Sequence, residues 1–208
     1  MHVQDKPLNR YPIWLKPFFW SQQRRYGEVL KPGLLWARVP KLFAAVAALY
    51  GVLDRKSSPL SPALRSLITV RVSQINHCAF CVDINAATLI KRAGTEEKAQ
   101  ALSNWHNSDL FDEQERVVLA YTDAITYSDQ QVDSELVARL REYFDEDQVV
   151  ELTGLIAFQN LSSKFNSALD VAPQGFCAVP IDYEAIEDET PSEESTKSQS
   201  GSGGSASI

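Results

Sequence analysis

The chain has 208 residues, 44% of them hydrophobic, with a net charge of −7 and three cysteines. That length fits one domain with a sizeable core, and the lack of any run of about 18 apolar residues argues against a membrane span. From residue 182 onward seven acidic residues face Lys197 alone, so this segment carries six of the seven net negative charges, and the near-neutral remainder offers no electrostatic footprint for a nucleic-acid partner.

Residues 1–35 read as an irregular arm. The stretch YPIWLKPFFWSQQRRYGEVLKPGLLW interleaves Pro12, Pro17 and Pro32 with Trp14, Phe18, Phe19 and Trp20. The prolines interrupt regular structure, and the aromatics call for burial against the domain or a neighbouring subunit, with contact to a membrane surface as the alternative. A leader pattern of basic then apolar residues is missing from MHVQDKPLNRYPIW, so export is not expected.

From residue 36 to 181 the chain reads as an all-α domain of about seven helices with short connections. PKLFAAVAALYGVL places Leu42, Phe43, Val46, Leu49 and Tyr50 at helical spacing behind a first-turn proline. SPALRSLITVRVSQI opens on Ser61 as cap and Pro62, with Leu64, Leu67, Ile68, Val72 and Ile75 recurring at three and four. CAFCVDINAATLIKRAG closes on Gly94, a C-terminal stop. Thr95 is the expected cap of TEEKAQALSNW, and Asp112 stands three before Glu115 as the start of FDEQERVVLAYTDAITY. Asp133 caps DSELVARLREYF, and Asp145 stands three before Gln148 ahead of a long helix through Val149, Leu152, Ile156, Leu161, Phe165 and Leu169. No segment alternates as a strand. Residues 182–208, rich in Ser, Gly and Glu, read as a disordered tail.

The chemistry concentrates in INHCAFCVDIN, where Cys78 and Cys81 stand in C-x-x-C spacing. Three cysteines without framework spacing fit a reducing, cytoplasmic compartment, in which such a pair is catalytic or metal-binding more often than structural. Asn76 is the expected cap of the helix that follows. The two cysteines then share a face in its first turns, with Cβ atoms about 5–6 Å apart, and a slight adjustment brings them within bridging range. Helix-start amides favour a thiolate, and on that ground Cys78 is the more activated sulfur. A structural zinc site needs about four ligands, and His2, His77, His106 and Cys177 form no second paired motif. Two small buried hydrophobes are the remaining alternative. His77 is a local base or a solvated turn residue, and Cys177 reads as a bystander.

The order and flanks of the motif carry more. SPALRSLITVRVSQINHCAFCVDINAATLIKRAG, followed by the helices from Phe111 to Leu169, resembles the carboxymuconolactone decarboxylase / alkylhydroperoxidase-D-like superfamily over residues 34–172. The resemblance implies an all-α fold assembling as trimers, hexamers or dimer-based homo-oligomers. For the peroxidase branch it implies a hydroperoxide substrate, no bound cofactor, and regeneration by an external thiol, often a dihydrolipoyl group on a partner protein. It assigns attack to Cys81 and resolution to Cys78, the reverse of the dipole argument. It also implies a proton relay that this chain lacks: the histidine four after the second cysteine is Asn85, and the glutamate twelve before the first is Ser66. Neither takes up a proton near neutral pH, and an ordinary thiol with a pKa of about 8.5 is only a few per cent thiolate at pH 7. His77 and Asp83 are the candidates to replace the relay, although Asp83, two after Cys81, faces away on a helix.

Arg71, inside a largely apolar helix, calls for an ion pair with Glu115 or Asp123. Asn160 and Lys164 read as packing or subunit contacts, with pocket lining as the alternative. The expected function is a thiol-dependent peroxidase. The alternatives are a decarboxylase of a small lactone acid, which would make no use of the cysteine pair, and a redox sensor or scaffold that has lost the relay.

Overall fold

A computed structural model describes residues 1–179; the acidic segment from residue 182 lies outside them. Among the described residues there are nine α-helices and no strands. They are α1 (Lys16–Tyr26), α2 (Lys31–Ala37), α3 (Pro40–Leu53), α4 (Pro62–Ile75), α5 (Ala79–Ala93), α6 (Glu97–Ala101), α7 (Glu113–Thr126), α8 (Ser134–Leu140) and α9 (Glu146–Ala168). Short 3₁₀ turns cover Leu8–Arg10, Ile13–Leu15 and Leu102–Asn107.

Most helices start where side-chain chemistry satisfies their free amides. Ser61 Oγ accepts from the Leu64 amide at 3.1 Å, and Asp133 from that of Leu136 at 2.8 Å. Asp112 and Glu115 form a reciprocal capping box, as do Asp145 and Gln148. Two expected caps are corrected. Thr95 stands one place before the N-cap of α6, which is Glu96, and its Oγ1 still accepts the Glu97 amide at 3.3 Å. Asn76 ends α4 instead of starting α5, and its amide donates to Asn160 Oδ1 at 2.9 Å and Ser163 Oγ at 2.8 Å. Cys78 itself caps α5, its sulfur accepting from the Cys81 amide at 3.2 Å.

The N-terminal segment is also corrected: it is largely helical. Pro17 and Pro32 occupy the first turns of α1 and α2, where a missing amide costs nothing and the fixed φ suits a helix. Gly27, at φ 82°, ends α1 in the left-handed region. Residue 35 falls inside α2. The segment packs on its own domain through Tyr11, Leu15, Phe19, Leu34 and Trp36, which join Phe43 of α3 in one cluster. Trp14 and Trp20 remain exposed.

The centre of the fold is α4, buried on nearly every side by α5, α7 and α9. A helix surrounded in this way has to be apolar nearly all round. The helix departs from this at five buried polar positions, Arg65, Ser66, Arg71, Ser73 and Gln74; the guanidinium of Arg71 grips Asp123 of α7 with Nε and Nη2 both at 2.7 Å. Trp105 Nε1 donates to the same carboxylate at 3.1 Å, so the buried pair is hydrogen-bonded as such pairs require. Glu115, the other expected partner, is held by Lys98 instead. On α3 the predicted stripe is only partly buried: Phe43 is in the core, while Leu42, Leu49 and Tyr50 are exposed. Among the described residues no helix is long and apolar enough to cross a membrane.

Candidate active site

Cys78 and Cys81 are joined by a disulfide at the start of α5, with Cα atoms 5.2 Å apart. The turn that delivers them is tight. Gln74, at the end of α4, accepts the His77 amide at 2.9 Å, and His77 adopts a left-handed φ of 48°. Its side chain is exposed, which fits the solvated turn residue of the two sequence readings.

The two sulfurs have different surroundings. Cys78 is 1% exposed and packed with Leu35, Phe80 and Val171. Cys81 is 3% exposed to solvent but lines a cavity of about 310 Å³. Helices α1, α2, α3, α5 and α9 all contribute to its wall, which is rich in aromatic side chains, among them Phe18, Tyr26, Trp36, Phe43, Phe80 and Phe158. The N-terminal segment therefore builds part of the site.

Asn166 of α9 is the polar partner of Cys81. Its Nδ2 donates to Cys81 Sγ at 3.2 Å. Its Oδ1 is buried without a hydrogen-bond partner among the described residues, on a side chain that lines the same cavity. Asn166 was not singled out from the sequence, because its target lies 85 residues away. A signal did exist: Gln159, Ser163 and Asn166 are spaced four and three apart, one helix face, and all three are buried. Polar residues on the face that also buries Leu152, Leu155 and Ile156 need hydrogen-bond partners inside the fold.

Asn85 faces the cavity as well, but its amide is turned to Ser73 Oγ at 3.2 Å, not to a sulfur. Ser73 also receives Gln159 Nε2 at 2.9 Å and donates to the Thr69 carbonyl. The Asn85–Ser73–Gln159 chain fixes orientation, and none of its members takes up a proton near neutral pH. Ser66, buried on α4, accepts from Arg92 Nη1 at 3.1 Å and lines a neighbouring cavity, not that of Cys81.

Asp83 does face away from the cysteines. Its carboxylate accepts three backbone amides, from Gln174 and Gly175 at 2.8 Å and from Cys177 at 2.7 Å. It thereby ties residues 174–177 across α5, with Phe176 meeting Phe80 edge to face. Cys177 is a free thiol in that strap. Asn160 is bound to Asn76 and Thr126, a packing role; Lys164 is exposed on α9.

Comparison with known proteins agrees with this fold. The family model of the carboxymuconolactone decarboxylase family matches residues 40–124, which include α3, α4 and the cysteine pair. The uncharacterized protein YnjA of Escherichia coli K12 is 43% identical over 174 residues, 84% of this chain and 96% of that protein. The uncharacterized protein YdfG of Bacillus subtilis 168 is 34% identical over 115 residues, 55% of this chain and 78% of that protein. Among solved structures, an alkylhydroperoxidase AhpD core, an uncharacterized peroxidase-related protein from Ralstonia eutropha JMP134, superposes with a TM-score of 0.77 at 22% identity, covering 84% of this chain and 93% of that one. At that identity the likeness concerns the fold.

Proposed function

The chain belongs to the carboxymuconolactone decarboxylase family, and from that premise we propose that it is a thiol-dependent peroxidase cycling Cys78 and Cys81 between dithiol and disulfide. The observation that carries this reading is an aromatic cavity whose wall includes Cys81, already bonded to a neighbouring cysteine.

In the reduced protein the Cys81 thiolate attacks the terminal oxygen of a hydroperoxide. The S–O bond forms as the O–O bond breaks, and the alkoxide leaves as an alcohol after taking one proton from solvent. Cys81 is then a sulfenic acid. The Cys78 thiolate attacks that sulfur, the S–O bond breaks, hydroxide leaves as water with a second proton, and the disulfide closes. With Asn85 and Ser66 in the relay positions, the Asn166 amide is the group that stabilises the Cys81 thiolate, through its hydrogen bond to Sγ.

The pair is reset by an external dithiol of dihydrolipoyl type, slender enough to enter the cavity. Its first thiolate attacks Cys81, the sulfur lining the cavity. The S–S bond breaks and Cys78 leaves as a thiolate at the N-cap of α5, where the Cys81 amide meets it. The second thiol of the reductant then expels Cys81 and ends in the reductant's own disulfide. Two electrons enter from the dithiol and two leave in the alcohol and water. A reducing, cytoplasmic compartment suits this cycle, and the exposed Leu42, Leu49 and Val52 of α3 support assembly as a homo-oligomer.

The test starts from fully reduced protein and counts thiols after cumene hydroperoxide. One equivalent should lower the free-thiol count from three to one, leaving Cys177, and Cys81→Ser should block the oxidation. In Cys78→Ser a sulfenic acid trap such as dimedone should label Cys81. Cysteines that stay reduced in the folded wild-type protein would sink the proposal.

A further inference from the structure

Beside the cysteine cavity lies a smaller one of about 90 Å³. The two share Arg25, Tyr26, Tyr50, Asn85 and Gln159 among their lining residues, so they adjoin, with unlike linings at the two ends. The large end is aromatic. The small end is lined by Arg25, Arg65, Arg92 and Asp54, together with Ser66 and Asn85. Three cations thus face a single anion, and the tyrosines add hydroxyls but no charge near neutral pH.

Two of the arginines are fixed in place. Arg65 is 5% exposed and spends Nη1 on the Leu53 and Arg55 carbonyls at 2.9 and 3.0 Å. Its Nε is buried with no hydrogen-bond partner among the described residues. Arg92 holds Asp54 through Nη2 at 3.0 Å and turns Nη1 to Ser66 Oγ at 3.1 Å. Arg25 is exposed on α1, at the rim both cavities share.

The identity of residue 66 decides the electrostatics of this space. A glutamate there would set a carboxylate against Arg92. The serine offers only a dipole and leaves the guanidinium charge in excess. Asn85, opposite, adds a neutral amide. Arg92 and Arg65 share the one carboxylate of Asp54, at 3.0 and 3.8 Å, so the buried and half-buried cations outnumber their counter-charge; such an imbalance carries a desolvation cost that an incoming anion relieves, and guanidinium groups suit the two oxygens of a carboxylate. The volume is that of about three waters, enough for a carboxylate group.

We propose that the relay positions of this chain form a carboxylate-binding subsite, and that the substrate is an apolar hydroperoxide carrying a carboxylate. The head lies among Arg25, Arg65 and Arg92, the hydrocarbon body runs past Tyr26, Tyr50 and Phe158, and the peroxide reaches Cys81. The peroxide part rests on the peroxidase reading above; the anion site rests on the arginines alone.

The experiment titrates full-length oxidised protein calorimetrically with octanoate and with octanamide, its neutral counterpart. Octanoate should bind at least about tenfold tighter. Ser66→Glu should erase that preference by supplying the missing carboxylate, with octanamide binding little changed. Arg92→Met should do the same; because Arg92 also holds Asp54, Arg25→Gln on the exposed rim serves as a second variant, expected to reduce the preference several-fold. Equal binding of the two probes, binding of neither, or a preference that survives Ser66→Glu overturns the subsite. Absence of the preference in the wild-type protein, with cumene hydroperoxide still closing its disulfide, would refute the subsite and leave the peroxidase reading standing. A carboxylate preference in a protein whose cysteines ignore hydroperoxides would keep the anion site and overturn its assignment to a peroxide substrate.

Discussion

Replacement of Asn166 by leucine separates its effect on the sulfur from its effect on the fold. The substitution removes the Nδ2 donor from Cys81 Sγ and also removes an oxygen buried without a partner. A hydrogen bond to a charged group contributes about 1.5–3 kcal/mol, and sulfur as the acceptor puts this one at the low end. Losing about 1.4 kcal/mol lowers the thiolate population roughly tenfold at neutral pH. The thiolate that remains is intrinsically more nucleophilic, by about threefold for a Brønsted slope near 0.45. The net result is a fall of about three- to fourfold in Cys81 alkylation at pH 7 and a rise of about threefold at alkaline pH, where both proteins are fully ionised. The assay is the rate of iodoacetamide alkylation against pH in a Cys78→Ser background, with urea unfolding in parallel. Stability should hold or rise, because the cavity has room for the larger side chain and an unsatisfied polar group is gone. Two rate profiles that differ by a constant factor without crossing, or that coincide, would refute the assignment of Asn166 to the thiolate.

Further predictions concern the supports of the site. Asp123→Ala leaves the Arg71 guanidinium buried without its carboxylate and should lower unfolding stability by about 3–5 kcal/mol in urea titrations; a loss under 1 kcal/mol would mean that the pair is not what orders α4 against α7. Asp83→Ala deprives three strap amides of their acceptor and should speed alkylation of Cys78 in a reduced Cys81→Ser background, whereas an unchanged rate would show that the strap does not shield it. Burial would push the Glu151 carboxyl up, but hydrogen bonds from Ser58 and Arg55 outweigh this and hold it below its ordinary 4.5. A carboxyl lowered in the folded state contributes fully above its unfolded value and loses the contribution as pH falls through the folded one. Glu151→Gln should therefore flatten the stability–pH curve below about pH 4.5 in thermal melts, and a curve as steep as wild type would count against the pairing.

Much of this molecule could be read along the chain because the relevant signals are local. Ser61, Asp112, Asp133 and Asp145 announce helix starts through amides three residues on, and C-x-x-C inside its flanking helices points to the family. Arg71 announced a partner, although only the fold chose Asp123 over Glu115. The misreadings have physical causes. Pro17 and Pro32 are breakers in a helix interior and starters in a first turn, and the residue alone does not distinguish the two. Asn76 has the chemistry of an N-cap, but the left-handed turn at His77 moves the helix start to Cys78 and frees Asn76 to bind α9. Asn166 and the arginine-lined space were not legible, since each depends on helices brought together from distant parts of the chain.

The double role of Cys78 bears on signalling. Its sulfur is at once half of the disulfide and the acceptor that caps α5. Opening the disulfide leaves that sulfur, as thiol or thiolate, an acceptor for the same amide, so neither redox form leaves the helix end unsatisfied. A sensor reports by melting or refolding something when its thiols change state, and here the group that changes state is the one that keeps the helix anchored. The backbone around α5 should give nearly the same amide exchange protection in both forms. On the proposed cycle, a centre built this way would turn over electrons without reshaping its helix and would have little with which to tell a partner what it has done.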